Sequence, residues 1–279
     1  MSSNKTQPIL PRNPGTDFQL ERFCDIQINR SAVEQRCASY GTRRSIKKDK
    51  QAAWLIKVIS LIDLTTLAGD DTNDRVRRLC RKAIHPVNEQ LLKKLELESL
   101  NISTAAVCVY HEMISGAAKV LKGTGVHLAA VSTGFPAGLS PLPLRIEEIK
   151  YSVDQGADEI DIVISRRLVL EGKWEELYHE VRMFREACGE AHLKTILATG
   201  ELGNLSTIAK ASQVCMMAGA DFIKTSTGKE PTNATLPVSL VMVRMIREYY
   251  ESTGYMVGFK PAGGISDTKT ALQFMTMMQ

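Results

Sequence analysis

The chain of 279 residues has no run of eighteen apolar residues, the length a membrane-spanning helix would need, and its N-terminus is polar without a signal-peptide core. Its six cysteines (Cys24, Cys37, Cys80, Cys108, Cys188 and Cys215) are scattered, with no CxxC pair. That spacing argues against a disulfide framework and against a zinc site, and makes a reduced, cytoplasmic setting the default. The five histidines show neither HExxH nor any other paired-ligand spacing, so no metal is expected. No GxGxxG follows the first apolar run, and Gly228-Lys229 is not preceded by the GxxxxGK pattern of a nucleotide-binding loop. The expectation is a protein with no cofactor and no membrane partner.

The chain is 44% apolar and 24% charged, an ordinary balance that can bury a sizeable core. Its net charge of +4 is uneven. Residues 1–50 carry ten Lys/Arg against five Asp/Glu, and the excess ends in Arg43-Arg44-Ser-Ile-Lys47-Lys48-Asp-Lys50. No aromatic residues interleave with these cations as single-strand binding would favour, so the stretch reads as a solvated leader and not as a nucleic-acid surface. Residues 1–50 are therefore taken as an extension, partly helical or flexible, with one weak helical patch around Phe18–Ile28. Residues 51–279 are taken as the domain.

From Ala52 onward, short β-branched runs alternate with helical periods. The runs are Val58–Leu67, Thr104–Tyr110, Leu128–Phe135, Glu159–Ser165, Leu193–Thr199, Phe222–Ser226 and Met256–Lys260. Helices are predicted near 74–84, 113–122, 142–155, 174–189, 205–218, 237–252 and 268–276. Asp74 and Asn204 or Ser206 are the candidate N-caps, and Gly123, Gly156, Gly189, Gly219 and Gly254 would terminate helices. Seven β-then-α units imply a parallel sheet, either doubly wound or closed. Polar residues recur at one strand parity (Asp63, Thr65, Cys108, Asp161, Lys194, Lys224, Lys260), while Ile62, Leu64, Val107, Val109, Ile160, Ile162, Ile223 and Phe259 fill the other. That alternation favours an α/β fold of the TIM-type (β/α) barrel, with one strand face on helices and one lining an interior. Such a barrel needs eight strands. The eighth is expected to be missing, and edges left open would be a stability liability.

Two lysines end successive apolar runs, Lys224 in Phe222-Ile223-Lys224-Thr225-Ser226-Thr227-Gly228-Lys229 and Lys260 in Gly258-Phe259-Lys260-Pro261-Ala262-Gly263-Gly264. An ammonium loses hydration in such surroundings, and a second cation nearby further favours the neutral amine, which is the form that attacks a carbonyl. Lowering a lysine pKa from about 10.4 towards 7 requires about 4.6 kcal/mol. This pattern predicts a Schiff-base enzyme. Asp161, between two isoleucines, is expensive to bury unless paired, and a lysine partner would make it a proton carrier. Asp63 and Lys194 read as further interior residues, with orienting and ion-pairing roles both open. Cys108 reads as core before nucleophile. Gly263 and Gly264, with Lys229, could cradle an anion after the last strand.

Together these segments closely resemble the deoxyribose-phosphate aldolases, in their longer eukaryotic form, from about residue 52 to the end. The motifs are Asp63-Leu-Thr-Thr-Leu, Ala-Ala-Val-Cys108-Val-Tyr, Gly134-Phe-Pro, Gly-Ala-Asp-Glu-Ile-Asp161, Thr199-Gly-Glu-Leu, Phe-Ile-Lys224-Thr-Ser-Thr-Gly-Lys229, Asn233-Ala-Thr and Gly-Phe-Lys260-Pro-Ala-Gly-Gly. The resemblance implies metal-free class I cleavage of 2-deoxy-D-ribose 5-phosphate in deoxyribonucleotide catabolism. It casts Lys224 as the Schiff-base lysine, Lys260 as its perturbing neighbour and Asp161 as the proton relay. Lys229, Gly263 and Gly264 would meet the phosphate, and Asp63, Thr65, Cys108, Lys194, Thr225 and Thr227 would line the substrate site. A small sugar phosphate is thus the expected partner, with a homo-oligomer left open. Family members continue into an eighth strand and a loop that complete the phosphate grip, so weak activity or low stability is expected of this chain. The rival reading is a non-catalytic relic that binds a partner through its basic extension.

Overall fold

Parallel strands can be joined only by crossovers, and here each crossover carries at least one helix. In the structure, a computed structural model, residues 11–42 and 47–278 are described. In chain order these form α1 (Arg30–Thr42), α2 (Asp49–Ile59), β1 (Asp63–Thr65), α3 (Asn73–Ile84), α4 (Glu89–Lys94), β2 (Ala106–Tyr110), α5 (Ile114–Leu121), β3 (His127–Ser132), α6 (Leu142–Asp154) and β4 (Glu159–Val163). There follow α7 (Arg166–Leu170), α8 (Trp174–Cys188), β5 (His192–Ile196), α9 (Leu205–Met217), β6 (Phe222–Lys224), α10 (Leu236–Thr253), β7 (Gly258–Lys260) and α11 (Thr268–Met278). The seven strands form one parallel sheet in the order β1 to β7, an α/β barrel architecture without a strand pairing β7 to β1 among the described residues. The sheet nevertheless curls so far that Lys260 Nζ on β7 lies 2.6 Å from Asp63 Oδ1 on β1.

The strand parity read from the sequence separates two apolar regions. Val107, Val109, Leu128, Ala130, Ile160, Ile162, Leu193 and Ile223 face outward into the main core, where α3, α5, α6, α8, α9 and α10 supply Val76, Ala117, Ile149, Val181, Val214 and Val241. Ala106, Cys108, Ala129 and Val131 form a separate inner cluster, topped by Leu67, Tyr110 and Phe135. Small residues on β2 and β3 leave room inside for the long polar side chains of β4 to β7.

Several boundaries differ from the sequence expectation. The first run is not a strand from Val58: Val58 and Ile59 end α2, and β1 is only Asp63–Thr65. The segment Trp54-Leu55-Ile56-Lys57-Val58-Ile59 is apolar enough to read either way, and packing of α2 against α11 selects the helix. The N-cap of α3 is Thr72 and not Asp74, its hydroxyl accepting from Arg75 N at 3.3 Å. Asn204 does cap α9, accepting from Thr207 N at 2.9 Å. The five glycines expected after helices all have positive φ.

The described part of the N-terminal segment packs into the domain. The patch around Phe18–Ile28 holds only a 3-10 turn at Leu20–Arg22, and the helix lies later, at α1. Phe18, Phe23, Ile26 and Ile28 instead join the core individually, with Phe23 fully buried edge-on to Trp174. Burying one such phenylalanine contributes about 1.5–3 kcal/mol. Of the basic run, residues 43–46 lie outside the described residues.

Asn13 fastens this segment beneath the sheet. Its amide Nδ2 donates to Met216 O and Ala220 O at 2.9 and 2.8 Å, and its backbone N donates to Asp221 Oδ1 at 2.7 Å. Its Oδ1 accepts from Gly15 N and the Tyr249 hydroxyl, both at 3.0 Å. Asn13→Ala would leave the Ala220 carbonyl and the buried Tyr249 phenol without the partner Asn13 gives them, so a loss of about 2–3 kcal/mol is expected from urea unfolding. Leu20→Ala, at an exposed position in the same segment, should stay within about 0.5 kcal/mol of the parent.

Candidate active site

Alternation along β4 puts Glu159 and Asp161 on its inner face, and the register sets Asp161 opposite Lys194 on β5. Lys224 closes β6 and Lys260 closes β7, paired Cα to Cα, while Asp63 begins β1. Three ammonium and three carboxylate groups thereby meet inside the curl. Lys224 Nζ donates to Asp161 Oδ2 at 2.6 Å. Lys194 Nζ lies 3.1 Å from Asp161 Oδ1 and 3.2 Å from Asp63 Oδ2, and it also pairs with Glu159 Oε2. Lys260 Nζ completes the chain through Asp63 Oδ1 and donates to Leu61 O at 3.2 Å. Asp161 is 0% exposed, Lys194 2% and Lys224 7%, so each charge depends on its partners for stabilisation.

These pairings decide protonation. Burial is the largest influence on Lys224 and disfavours its ammonium, but the charge and hydrogen bond of Asp161, with Cys108 beside it, together raise its pKa, with Lys194 the opposing cation. This corrects the sequence expectation of a depressed amine: the two lysines are not left to repel each other, because Lys260 is engaged by Asp63. Burial likewise disfavours charge on Lys194, yet Asp161, Asp63 and Glu159 hold its pKa well above the ordinary lysine value. For Asp161, burial opposes ionisation while Lys194 and Lys224 drive its pKa below the usual carboxylate range. Asp63 is lowered in the same way, by Lys194 and Lys260 against burial. Cys108 sits beside this lattice, 1% exposed, and burial pushes its thiol up to about 12, so it remains a protonated, inert wall residue.

The other expected site residues occupy the rim. Thr225 Oγ1 donates to Ala262 O at 3.2 Å and accepts from Ala262 N at 2.9 Å, tying the loops after β6 and β7. Thr227 Oγ1 donates to Glu230 Oε2 at 2.8 Å and accepts from Lys229 N at 3.0 Å. Both threonines are thus occupied in shaping the loops. Lys229 is exposed and reaches over the mouth to Leu67 O at 3.2 Å. Thr65 is exposed at the end of β1. Gly263 and Gly264 have φ of 81° and 79°, and a Cβ on Gly263 would lie 2.5 Å from Asn233 Cγ. Only glycine fits there, and successive positive-φ glycines turn backbone N–H groups towards one side.

Glu159 received no role from the sequence, although its signal was present: two residues before Asp161 on a strand means the same face. Among the described residues, no group of three or more His, Cys, Asp or Glu side chains is arranged to hold a metal ion.

A family model described as DeoC/LacD family aldolase matches residues 57–279, which contain the whole lysine–carboxylate lattice. The chain belongs to the DeoC/LacD family of aldolases. As an aldolase it is a lyase. It is 54% identical over 269 residues to the deoxyribose-phosphate aldolase of Homo sapiens, covering 96% of this chain and 85% of that one. The corresponding enzyme of Mus musculus is 55% identical over 267 residues, covering 95% and 84%. Among solved structures, the tetrameric deoxyribose phosphate aldolase from Aeropyrum pernix shares the fold, with a TM-score of 0.62 at 23% identity over 80% of this chain and 84% of that one.

The depressed carboxylate pKa values of this aldolase carry a sign for stability. A carboxyl group whose pKa is lowered on folding contributes stability that is complete above its unfolded value, about 3.9, and is lost as pH falls through the folded one. Urea midpoints of the parent should therefore decline steeply below about pH 4. Asp161→Asn leaves the buried Lys224 ammonium without a carboxylate and takes one of three from Lys194, so it should cost about 3 kcal/mol or more at pH 7, with a shallower acid decline than the parent. Parallel curves for the two proteins would contradict this assignment.

Proposed function

We propose that this aldolase acts through a Schiff base on Lys224 and reversibly cleaves 2-deoxy-D-ribose 5-phosphate to D-glyceraldehyde 3-phosphate and acetaldehyde. The carrying observation is the buried contact of 2.6 Å between Lys224 Nζ and Asp161 Oδ2. The similarity to curated deoxyribose-phosphate aldolases supports the choice of substrate. That substrate places the enzyme in the breakdown of deoxyribonucleotides.

The resting lysine is an ammonium, so the first step is proton transfer along that short hydrogen bond to Asp161. In a site of low polarity, a neutral pair is closer in energy to an ion pair than it is in water. The free amine attacks the aldehyde carbon of the open-chain sugar. The protonated Asp161 then gives its proton to the carbinolamine hydroxyl, which leaves as water, so an ionised Asp161 and an iminium remain. Its positive nitrogen withdraws the electron pair of the C2–C3 bond as that bond breaks, while Asp161, acting through water, takes the proton of the C3 hydroxyl. The three-carbon aldehyde departs, the enamine takes up at C2 the proton that Asp161 accepted, and hydrolysis of the resulting iminium frees acetaldehyde and the Lys224 ammonium. Lys194 remains charged throughout, returning Asp161 to its ionised state. Lys260 and Asp63 supply a second ion pair within the lattice, with Lys260 its more exposed member.

The phosphate is assigned to Lys229 and the backbone N–H groups of Gly263 and Gly264. Lys229 is a solvent-exposed cation at the rim, and the two positive-φ glycines follow β7 in the loop after Lys260.

Acetaldehyde with borohydride should add one reduced two-carbon adduct to Lys224, located by mass spectrometry and absent from Lys224→Ala. A parent chain that gains no adduct would refute the reading. Asp161→Asn should lower kcat by roughly 10²–10⁴, as expected for a positioned proton carrier. Lys229→Ala should instead raise KM for the phosphorylated sugar by roughly tenfold or more with a smaller change in kcat, the loss of one charge-assisted contact.

A further inference from the structure

Beneath the catalytic lysine, the barrel has a second charged face. Lys194 has three N–H donors, and the acids around it number three: Asp161, Asp63 and Glu159, the last at the start of β4 next to the floor. Glu159 Oε1 faces the other way, 3.8 Å from His127 Nδ1, at the edge of a cavity of about 550 Å³ that opens at the base of the sheet. The charged and titratable groups around Glu159 there are His127 from β3 and Lys194 and His192 from β5, with Asp158 next to it in sequence and Glu190 and Arg12 lining the same cavity. An aromatic floor shields this point from water. The His192 ring lies 6.4 Å from His127 and 6.3 Å from Phe222, and the Phe222 ring fits because residue 258 is glycine, where a Cβ would come within 2.2 Å. His192 is 8% exposed, so its ring is largely buried against this floor.

We propose that Glu159 is a positioning residue for the aldol chemistry: it anchors Lys194 from below and thereby sets the pH at which Lys224 can release its proton. The inference rests on the Schiff-base reading above and extends it to a residue that cannot reach the substrate side. With Glu159 ionised, part of the Lys194 cation is spent on the floor, and less of its field opposes the ammonium of Lys224. With Glu159 neutralised, the whole field bears on Asp161 and Lys224. Lys224 then gives up its proton at lower pH, while Asp161, held more firmly ionised, becomes a poorer base. The two consequences are separable, because the first moves a midpoint and the second lowers a plateau.

The test is the rate of adduct formation on Lys224 with acetaldehyde and cyanoborohydride, followed by mass spectrometry from pH 5 to 10 in the full chain. Glu159→Gln should move the midpoint down by about one unit or more, as expected for a unit charge lost within about 10 Å in a medium of effective dielectric near 20. It should also lower the plateau, whereas Glu159→Asp, which keeps the charge, should restore the parent midpoint. His127→Lys is a second route that leaves the interior untouched, since the His127 side chain is 38% exposed. A permanent cation beside Glu159 should shift the midpoint the same way by a smaller amount. Midpoints equal to the parent in both Glu159→Gln and His127→Lys would overturn the proposal, even with a lowered plateau, because a merely structural residue lowers rate without moving the titration. Absence of any adduct in the parent would instead defeat the Schiff-base reading, and this inference with it.

Discussion

The structure depends on the mutual neutralisation of ions placed where water cannot solvate them. Three ammonium groups and three carboxylates occupy the hollow of the sheet, and none of the deepest could remain charged alone. Asp161 is tolerable inside because two lysines reach it, and Lys194 because three acids do. The surrounding strands provide the space through small residues, Ala106, Cys108 and Ala129, on the side opposite the long cations.

This balance changes how the nucleophile is understood. Crowding of two amines would give a neutral lysine in the resting state. The observed pairing stores the proton on Lys224 and places its acceptor at contact distance, so activation is a short transfer within a pair and not release to bulk solvent. Such a device keeps the amine protected from stray electrophiles until a substrate displaces the pairing. It also couples every member of the lattice, since the charge on Asp161 is felt by Lys194 and, through it, by Asp63 and Glu159.

Much of the fold was legible because its signals were periodic. Seven apolar runs separated by helix-length segments gave the parallel sheet, and the parity of Asp63, Asp161, Lys194, Lys224 and Lys260 gave its inner face. Features that depend on tertiary choice were not legible. Trp54–Ile59 is apolar at positions compatible with strand or helix, and only its packing against α11 decides. The residues from Pro11 to Ile28 have no period because they are held one by one, Asn13 by hydrogen bonds and Phe23 by burial. The state of Lys224 was misjudged because sequence shows which charges exist but not which pairs form. Glu159 escaped notice because its carboxylate neighbour Asp158, an ordinary surface-type acid, made the run look like a polar strand start.

The salt bridge from Lys260 to Asp63 joins β7 to β1, between which no backbone ladder runs among the described residues. A fastener made of side chains is weaker and more easily released than a row of amide bonds, and here it is made from residues of the reaction centre itself. Any gaping of the seam parts an anion from its cation and redistributes potential across the whole hollow. Mechanical breathing of the wall is therefore written directly into the reactivity of the amine at its centre.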